Sequence, residues 1–178
     1  MIIDEIQTGI GRTGTMFGFE HAGIEPEIMT LAKGLGGSAP LGALMARAAV
    51  SCFSPGDQGG TFCGNPLMTA VGIAVIREVS KPGFLDHVTA MGAELRVKLE
   101  RLSARHGFGE GRGCGLLLAL DLQADLGPAI VDAARDRGLL VNSPRSDALR
   151  FMPALNISRE DIDTAVTILD RVCEQLRR

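Results

Sequence analysis

The sequence predicts an α/β fold in two regions, on the strength of three observations. Over residues 1–82, short apolar runs end at polar or glycine-rich segments, as strands of a sheet do. From residue 83 onward, amphipathic helical periods alternate with short apolar runs. An apolar fraction of 46% over 178 residues is sufficient for a buried core. We therefore expect a partial sheet from a larger domain, followed by a linking helix and a small C-terminal α/β domain over residues 83–178.

Three strands are expected in the first region. They are the apolar runs Met1–Ile3 (a buried strand ending at Asp4), Ile28–Ala32 and Leu41–Ala46. The glycine-rich segments between them predict loops, and a helix is predicted from Pro66 to the Pro82-Gly83 break. A parallel sheet needs helices on both faces, and one helix is too few. The region is expected either to be a piece of something larger or to be covered by a partner chain.

The second region predicts three helices and three strands. The helices are expected from Pro82 to a stop at Gly107, from Pro128 to Arg137, and onward from a capping box at Ser158–Asp161. The strands are expected at Arg112–Leu122, Leu139–Asn142 and Leu149–Met152.

Composition excludes several classes of protein. A net charge of -3 without a basic block argues against binding to nucleic acid or to an acidic membrane, and no tryptophan or tyrosine supplies a stacking platform for bases. The four cysteines lack CxxC spacing and the three histidines lack ligand spacing, which predicts reduced thiols and no metal site. No stretch is long and apolar enough to span a bilayer. These features predict a soluble cytoplasmic protein.

Asp4 and Lys33 follow two of the predicted strands. The carboxyl ends of strands in an open α/β sheet are where ligands bind. A lysine beside a glycine-rich turn, with a carboxylate from an earlier strand, suits pyridoxal-phosphate chemistry, in which the amine binds the cofactor aldehyde and the carboxylate keeps the ring nitrogen protonated. The alternatives are a solvated lysine and an aspartate that caps a turn.

Three other motifs have competing interpretations. Gly9–Gly14 reads GxGxxG, but no helical period opens within it, so a loop is favoured over a dinucleotide site. Thr61 lies in a compact loop that could bind phosphate or simply lead into a helix. Arg150 is a charge within an apolar strand, where it could bind a substrate carboxylate or form a structural salt bridge.

Seven segments together resemble the class III (ω-type) aminotransferases of fold-type I, in family order and nearly from end to end. They are IDEIQTGIGRTG, MTLAKGLGG, PLGALMA, SPGDQGGTFCGNPL, GRGCGLLLALDL, GLLVN and LRFMPAL. The resemblance implies a PLP-dependent transferase fold, with residues 1–82 as the C-terminal part of the cofactor-binding large domain.

The resemblance also implies a role for each candidate residue. Lys33 would bind pyridoxal 5'-phosphate covalently and move the proton, while Asp4 would pair with the ring nitrogen and Gln7 would contact the ring hydroxyl. Thr61 would reach the phosphate of the cofactor in the neighbouring subunit, which implies a homodimer. Arg150 would bind the substrate's α-carboxylate.

The implied reaction transfers the δ-amino group of N2-acetylornithine to 2-oxoglutarate. Another ω-aminotransferase, acting on ornithine, succinyldiaminopimelate or 4-aminobutyrate, and a catalytically silent dimerising fragment are the alternatives. The chain departs from the family pattern at Gly60 and Cys63, and it lacks the family's N-terminal half. We therefore expect weak or absent activity from the isolated chain.

Overall fold

The computed structural model describes residues 1–176, which form two compact units, Met1–Leu85 and a second unit that begins at Asp86. Each unit has its own sheet, so the fold is mixed α/β as predicted. Among these residues, no helix combines the length and apolar character needed to cross a membrane.

The first unit has a three-stranded sheet in the order β1-β2-β3. Its strands are β1 (Ile2–Asp4), β2 (Ile28–Leu31) and β3 (Ala43–Ala46). Strands β1 and β2 are parallel, whereas β3 pairs with β2 in the antiparallel direction. All three strands were predicted.

Helix α1 (Pro66–Val79) is the only α-helix that lies wholly within the described first unit. Its N-terminus is capped by the Asn65 side chain, which accepts a hydrogen bond from the Met68 amide at 3.0 Å. Residues with large apolar side chains remain exposed on the strands, at 69% for Ile2, 60% for Leu44 and 53% for Met45. The expectation that β1 is buried was therefore wrong, because the described residues supply too few elements to cover the sheet.

The second unit is built around a four-stranded antiparallel sheet in the order β4-β5-β7-β6. Its strands are β4 (Gly111–Cys114), β5 (Leu117–Asp121), β6 (Asn142–Arg145) and β7 (Ala148–Phe151). Its helices are α2 (Phe84–His106, which begins just before the unit), α3 (Gly127–Arg135) and α4 (Arg159–Leu176). The core contains Leu99, Leu120, Leu149, Ile162 and Leu169, each at most 2% exposed.

Three predictions for this region need correction. The strand predicted at residues 112–122 is instead the hairpin of β4 and β5, because the chain turns at residues 115–116, where Gly115 adopts a positive φ of 54°. The strand predicted at residues 139–142 lies instead at Asn142–Arg145, where its position depends on pairing with β7. Helix α2 begins two residues after Pro82 because Gly83 turns the chain at φ 82°.

The predicted capping box of α4 is confirmed. The Asp161 amide donates to the Ser158 hydroxyl at 3.1 Å, and the Ser158 amide donates to the Asp161 carboxylate at 3.3 Å.

Candidate active site

Two candidate residues lie at one end of the sheet in the first unit. Asp4 is the last residue of β1 and pairs with Thr30 in the parallel register of β1 and β2. Lys33 follows the end of β2 by two residues. Because carboxyl ends of parallel strands share one edge of a sheet, this register brings the carboxylate and the amine to the same edge.

The Asp4 carboxylate retains one oxygen for a ligand. The side chain is exposed, and Oδ1 accepts a hydrogen bond from the Ile6 amide at 2.8 Å. Within residues 1–176, Oδ2 accepts no hydrogen bond from the protein. The carboxylate is thus oriented by one backbone donor while a second acceptor remains available.

The Lys33 backbone lies in the left-handed region, at φ 42°, where it begins the 3-10 turn Lys33–Gly36. That conformation costs a residue with a Cβ atom about 1–2 kcal/mol. Such outliers concentrate at functional sites. The side chain is exposed, and among the described residues no carboxylate forms an ion pair with it. The amine is therefore accessible to a ligand.

Gln7 lies on the turn that follows β1. The Gly9 amide donates to the Glu5 carbonyl at 3.0 Å and closes this turn around a half-buried Gln7. The GxGxxG stretch continues as turns, and the first helical segment after it is the 3-10 helix Gly18–Ala22. The segment is a loop, as predicted, without the helix start that a dinucleotide site requires.

Arg12 lies half-buried on the same loop. Burial lowers the pKa of its guanidinium from the usual arginine value, because desolvation disfavours the charged form.

The sequence did not predict that Glu5 is buried. It is 2% exposed, and its carboxylate accepts hydrogen bonds from the amides of Gly18 at 2.9 Å and Phe19 at 2.7 Å, and from the Thr8 hydroxyl. The available signal was an acidic residue at the start of a glycine-rich loop, since such a loop has many amides that need acceptors.

Thr61 lies in the exposed turn 61–64 that leads into α1. No hydrogen bond within residues 1–176 joins it to Asp4 or Lys33. Its place before a helix matches the helix-entry interpretation. Because the residue is exposed, its hydroxyl is accessible.

Arg150 belongs to the second unit, where it lies half-buried in the middle of β7. It borders a cavity of about 530 Å³ whose other lining residues are mostly apolar, including Val141, Phe151 and Ile168. Among the described residues, no acidic side chain pairs with Arg150, so the salt-bridge interpretation has no partner there. An unpaired guanidinium beside an apolar cavity can bind a ligand carboxylate.

Residues 1–173 match the family described as aminotransferase class-III. The chain is 52% identical over 172 residues to an acetylornithine aminotransferase of Ralstonia nicotianae, covering 95% of this chain and 43% of that relative. It is 49% identical over 177 residues to an acetylornithine aminotransferase of Caldanaerobacter subterraneus subsp. tengcongensis, covering 99% of this chain and 45% of that relative.

Solved structures show the same likeness. The fold matches N-acetylornithine aminotransferase from Stenotrophomonas maltophilia with a TM-score of 0.87 and 35% identity, covering 98% of this chain and 47% of that chain. It also matches an ornithine aminotransferase from Toxoplasma gondii, a structure with partial occupancy of PLP at the active site, with a TM-score of 0.90 and 32% identity over 99% of this chain and 44% of that chain. The chain spans less than half the length of these relatives. The predicted family resemblance and fold class are confirmed.

Proposed function

We propose that this chain, which belongs to the class-III aminotransferase family, carries two residues of a PLP-dependent aminotransferase site. They are the lysine that binds the cofactor and the carboxylate that pairs with its ring nitrogen. The amino donor that we propose is N2-acetylornithine, and the acceptor is 2-oxoglutarate. The observation that carries the proposal is that Asp4 ends β1 and Lys33 follows the adjacent parallel strand β2, at the same edge of the sheet.

The chemistry of the donor set fits pyridoxal 5'-phosphate. The cofactor needs an accessible amine for its aldehyde and an acceptor for its protonated ring nitrogen. Lys33 presents an amine without an ion-pair partner in the described part of the chain, and Asp4 Oδ2 is a vacant acceptor there. The strained backbone of Lys33 is consistent with a position selected for function rather than for stability.

Each residue then has a defined task. When bound, the cofactor supplies an electron sink that stabilises negative charge beside the transferred nitrogen. Asp4 would accept a hydrogen bond from the protonated ring nitrogen and would keep that nitrogen cationic. Lys33 Nζ would hold the aldehyde, and the same amine can take up a proton as a base and return it as an acid. We assign Gln7 to the ring hydroxyl and Thr61 to a phosphate across a homodimer interface.

Arg150 is the proposed substrate-binding residue. A guanidinium binds a carboxylate through two parallel hydrogen bonds, and both proposed substrates carry carboxylates. Arg150 has no ion-pair partner among residues 1–176 and lies beside a cavity, which supports this role. A carboxylate that binds there would be oriented by the rigid strand β7.

The substrate assignment draws on the relatives, two of which are named acetylornithine aminotransferases and are 49% to 52% identical to this chain. An ornithine substrate is the second candidate, supported by the 32% identity to the Toxoplasma gondii enzyme, which is named an ornithine aminotransferase. We place residues 1–82 in the cofactor-binding domain, residues 83–178 in the linking helix and small domain, and the protein in the cytoplasm.

Reductive trapping tests the proposed cofactor site. The chain is mixed with pyridoxal phosphate, reduced with borohydride and digested, and the labelled peptide is identified by mass spectrometry. We expect a pyridoxyl label on Lys33 that is lost in Lys33→Ala and retained in Lys81→Ala, which alters another exposed lysine of the first unit. Labelling of both lysines alike, or no label on Lys33 in a chain folded by circular dichroism, would contradict the proposal and favour a silent fragment.

A further inference from the structure

We propose that Glu5 is a positioning residue that holds the turn carrying Asp4 and Gln7, an inference that rests on the proposed function for its meaning. Glu5 is a charged side chain at 2% exposure, and neither the cofactor roles nor the substrate role uses it. Burial of a carboxylate is costly unless its oxygens accept hydrogen bonds. A buried acid at the edge of a site therefore needs a structural reason.

The Glu5 backbone joins the strand end to the turn. Its amide donates to the Thr30 carbonyl at 3.0 Å, which extends the pairing of β1 with β2 by one residue beyond Asp4. Its carbonyl accepts from the Gly9 amide at 3.0 Å. The Glu5 backbone thus joins the turn that contains Gln7 to strand β2 through its amide and to Gly9 through its carbonyl.

The Glu5 side chain joins this turn to a distant part of the loop. Oε1 accepts from the Phe19 amide at 2.7 Å, and Oε2 accepts from the Gly18 amide at 2.9 Å. The Thr8 hydroxyl also donates to Oε2. Three donors satisfy the buried carboxylate, and two of them lie 13 and 14 residues further along the chain.

Steric space around Glu5 gives independent support. A Cβ atom on Gly9 would lie 2.8 Å from the Glu5 carbonyl oxygen, and one on Gly18 would lie 3.2 Å from Glu5 Oε2. A side chain at position 9 would have to displace the Glu5 carbonyl, and one at position 18 would crowd both the Glu5 carboxylate and Thr8, whose Cβ would lie 3.0 Å away. These two glycines therefore serve the packing of the loop onto Glu5.

Loss of the Glu5 carboxylate would affect the orientation of Asp4 through one hydrogen bond. The Ile6 amide, which orients Asp4 Oδ1 at 2.8 Å, lies on the turn that Glu5 closes. Glutamine at position 5 would keep one acceptor oxygen and turn an NH₂ group toward the amide of residue 18 or residue 19, so that one of these two hydrogen bonds is lost. The turn would then loosen, and Asp4 would lose its orienting donor.

Amide hydrogen exchange in the full chain without cofactor tests this coupling. In Glu5→Gln we expect at least tenfold faster exchange of the Ile6 amide and of whichever of the Gly18 and Phe19 amides loses its acceptor. The matched control is Glu20→Gln, because Glu20 is an exposed acid on the same loop that accepts from the Phe17 amide at 2.7 Å. The control is expected to affect Phe17 and to leave Ile6 unchanged.

A milder pair of variants covers the case in which Glu5→Gln does not fold. Thr8→Val removes one donor to Glu5 and keeps the side-chain shape, whereas Thr8→Ser restores the hydroxyl. We expect Thr8→Val to raise exchange at Ile6, Gly18 and Phe19 by a smaller factor and Thr8→Ser to return all three toward wild type. Increases confined to Gly18 and Phe19, with Ile6 unchanged, would overturn the proposal and leave Glu5 a local loop cap.

Cofactor titration supplies a second measurement. In Glu5→Gln we expect the Kd for pyridoxal phosphate, followed by absorbance, to rise at least tenfold while borohydride still labels Lys33 at saturation. An unchanged Kd in the folded variant would also overturn the positioning role. If wild type itself binds no cofactor, the proposed function fails, and exchange at Ile6 still decides whether Glu5 holds the turn.

Discussion

Asp4 of β1 pairs with Thr30 of the parallel strand β2, and Thr30 lies three residues before Lys33. This register defines the candidate site, because it sets the carboxylate and the amine at one edge of the sheet although they are far apart along the chain. A shift of one residue would turn Asp4 to the opposite face. The Glu5 amide extends the same ladder and so secures the register beyond the last residue of β1.

The left-handed backbone of Lys33 predicts an unusual order of stability among its variants. Lys33→Gly should be more stable than Lys33→Ala by about 1 kcal/mol, because glycine adopts φ 42° without a Cβ clash. Urea unfolding of the chain without cofactor measures the difference. The comparison of two variants that both lack the amine removes any contribution of the lysine side chain.

Lys81 provides the matched position, since it is exposed and does not adopt a positive φ. There the glycine variant should be the less stable of the two, because glycine gains more freedom on unfolding. The same order at both positions would mean that the Lys33 backbone carries no strain.

The Arg150 guanidinium has no ion-pair partner within the described part of the chain, so its removal should weaken the binding of a dicarboxylate. Arg150→Gln should weaken 2-oxoglutarate binding by about tenfold or more, since a hydrogen bond to a charged group contributes roughly 1.5–3 kcal/mol. Isothermal titration calorimetry on the folded chain measures the affinity.

Arg145→Gln is the control for that loss. Arg145 lies on the neighbouring strand β6 and already pairs with Asp147 at 3.1 Å. An equal loss of affinity in both variants would indicate an effect of net charge and would argue against a carboxylate site at Arg150.

Two helical glycines predict opposite tolerance to alanine. A Cβ atom on Gly92 of α2 would lie 2.4 Å from the Gly115 carbonyl oxygen, which is backbone and cannot yield easily. A Cβ atom on Gly72 of α1 would lie 2.5 Å from Leu41 Cδ2, the end of a flexible side chain.

Gly92→Ala should therefore destabilise the chain by about 2–3 kcal/mol through overpacking. Gly72→Ala should remain within about 1 kcal/mol of wild type, because the helix propensity of alanine offsets the shift of Leu41. Chemical unfolding of both variants checks the contrast, and equal losses would contradict the distinction between backbone and side-chain contacts.

The pairing of Lys98 with Asp163 predicts a stability contribution that disappears at high pH. The hydrogen bond to Asp163 and, secondarily, the contact with Glu94 raise the pKa of Lys98 above its ordinary value, although desolvation opposes them. A raised pKa in the folded state means that the charged form stabilises the fold. The contribution is complete below the unfolded lysine pKa of about 10.4 and is lost as pH rises through the higher folded value.

A double-mutant cycle of Lys98→Met and Asp163→Asn measures that coupling between α2 and α4. We expect a favourable coupling in unfolding experiments at neutral pH and its decline only above the unfolded lysine pKa. A coupling that is independent of pH across this range would exclude the charged lysine as its source.

The sequence by itself determined the local features. The N-termini of α1 and α4 were predictable, because Asn65-Pro66 and Ser158–Asp161 place the capping groups within a few residues of the amides that they accept from. Asp4 and Lys33 were likewise visible as polar residues that follow apolar runs, and the family segments around them lie in continuous stretches of chain.

Only the tertiary structure decided the features that depend on distant partners. The burial of Glu5 requires amides 13 and 14 residues away, and the position of β6 depends on its pairing with β7, where Pro144 lacks an N–H for the ladder. Whether the Arg150 guanidinium has an ion-pair partner depends on which acidic side chains lie near it in the folded chain. Local propensity is carried by neighbouring residues, whereas burial and pairing are properties of surfaces that exist only once the chain has folded.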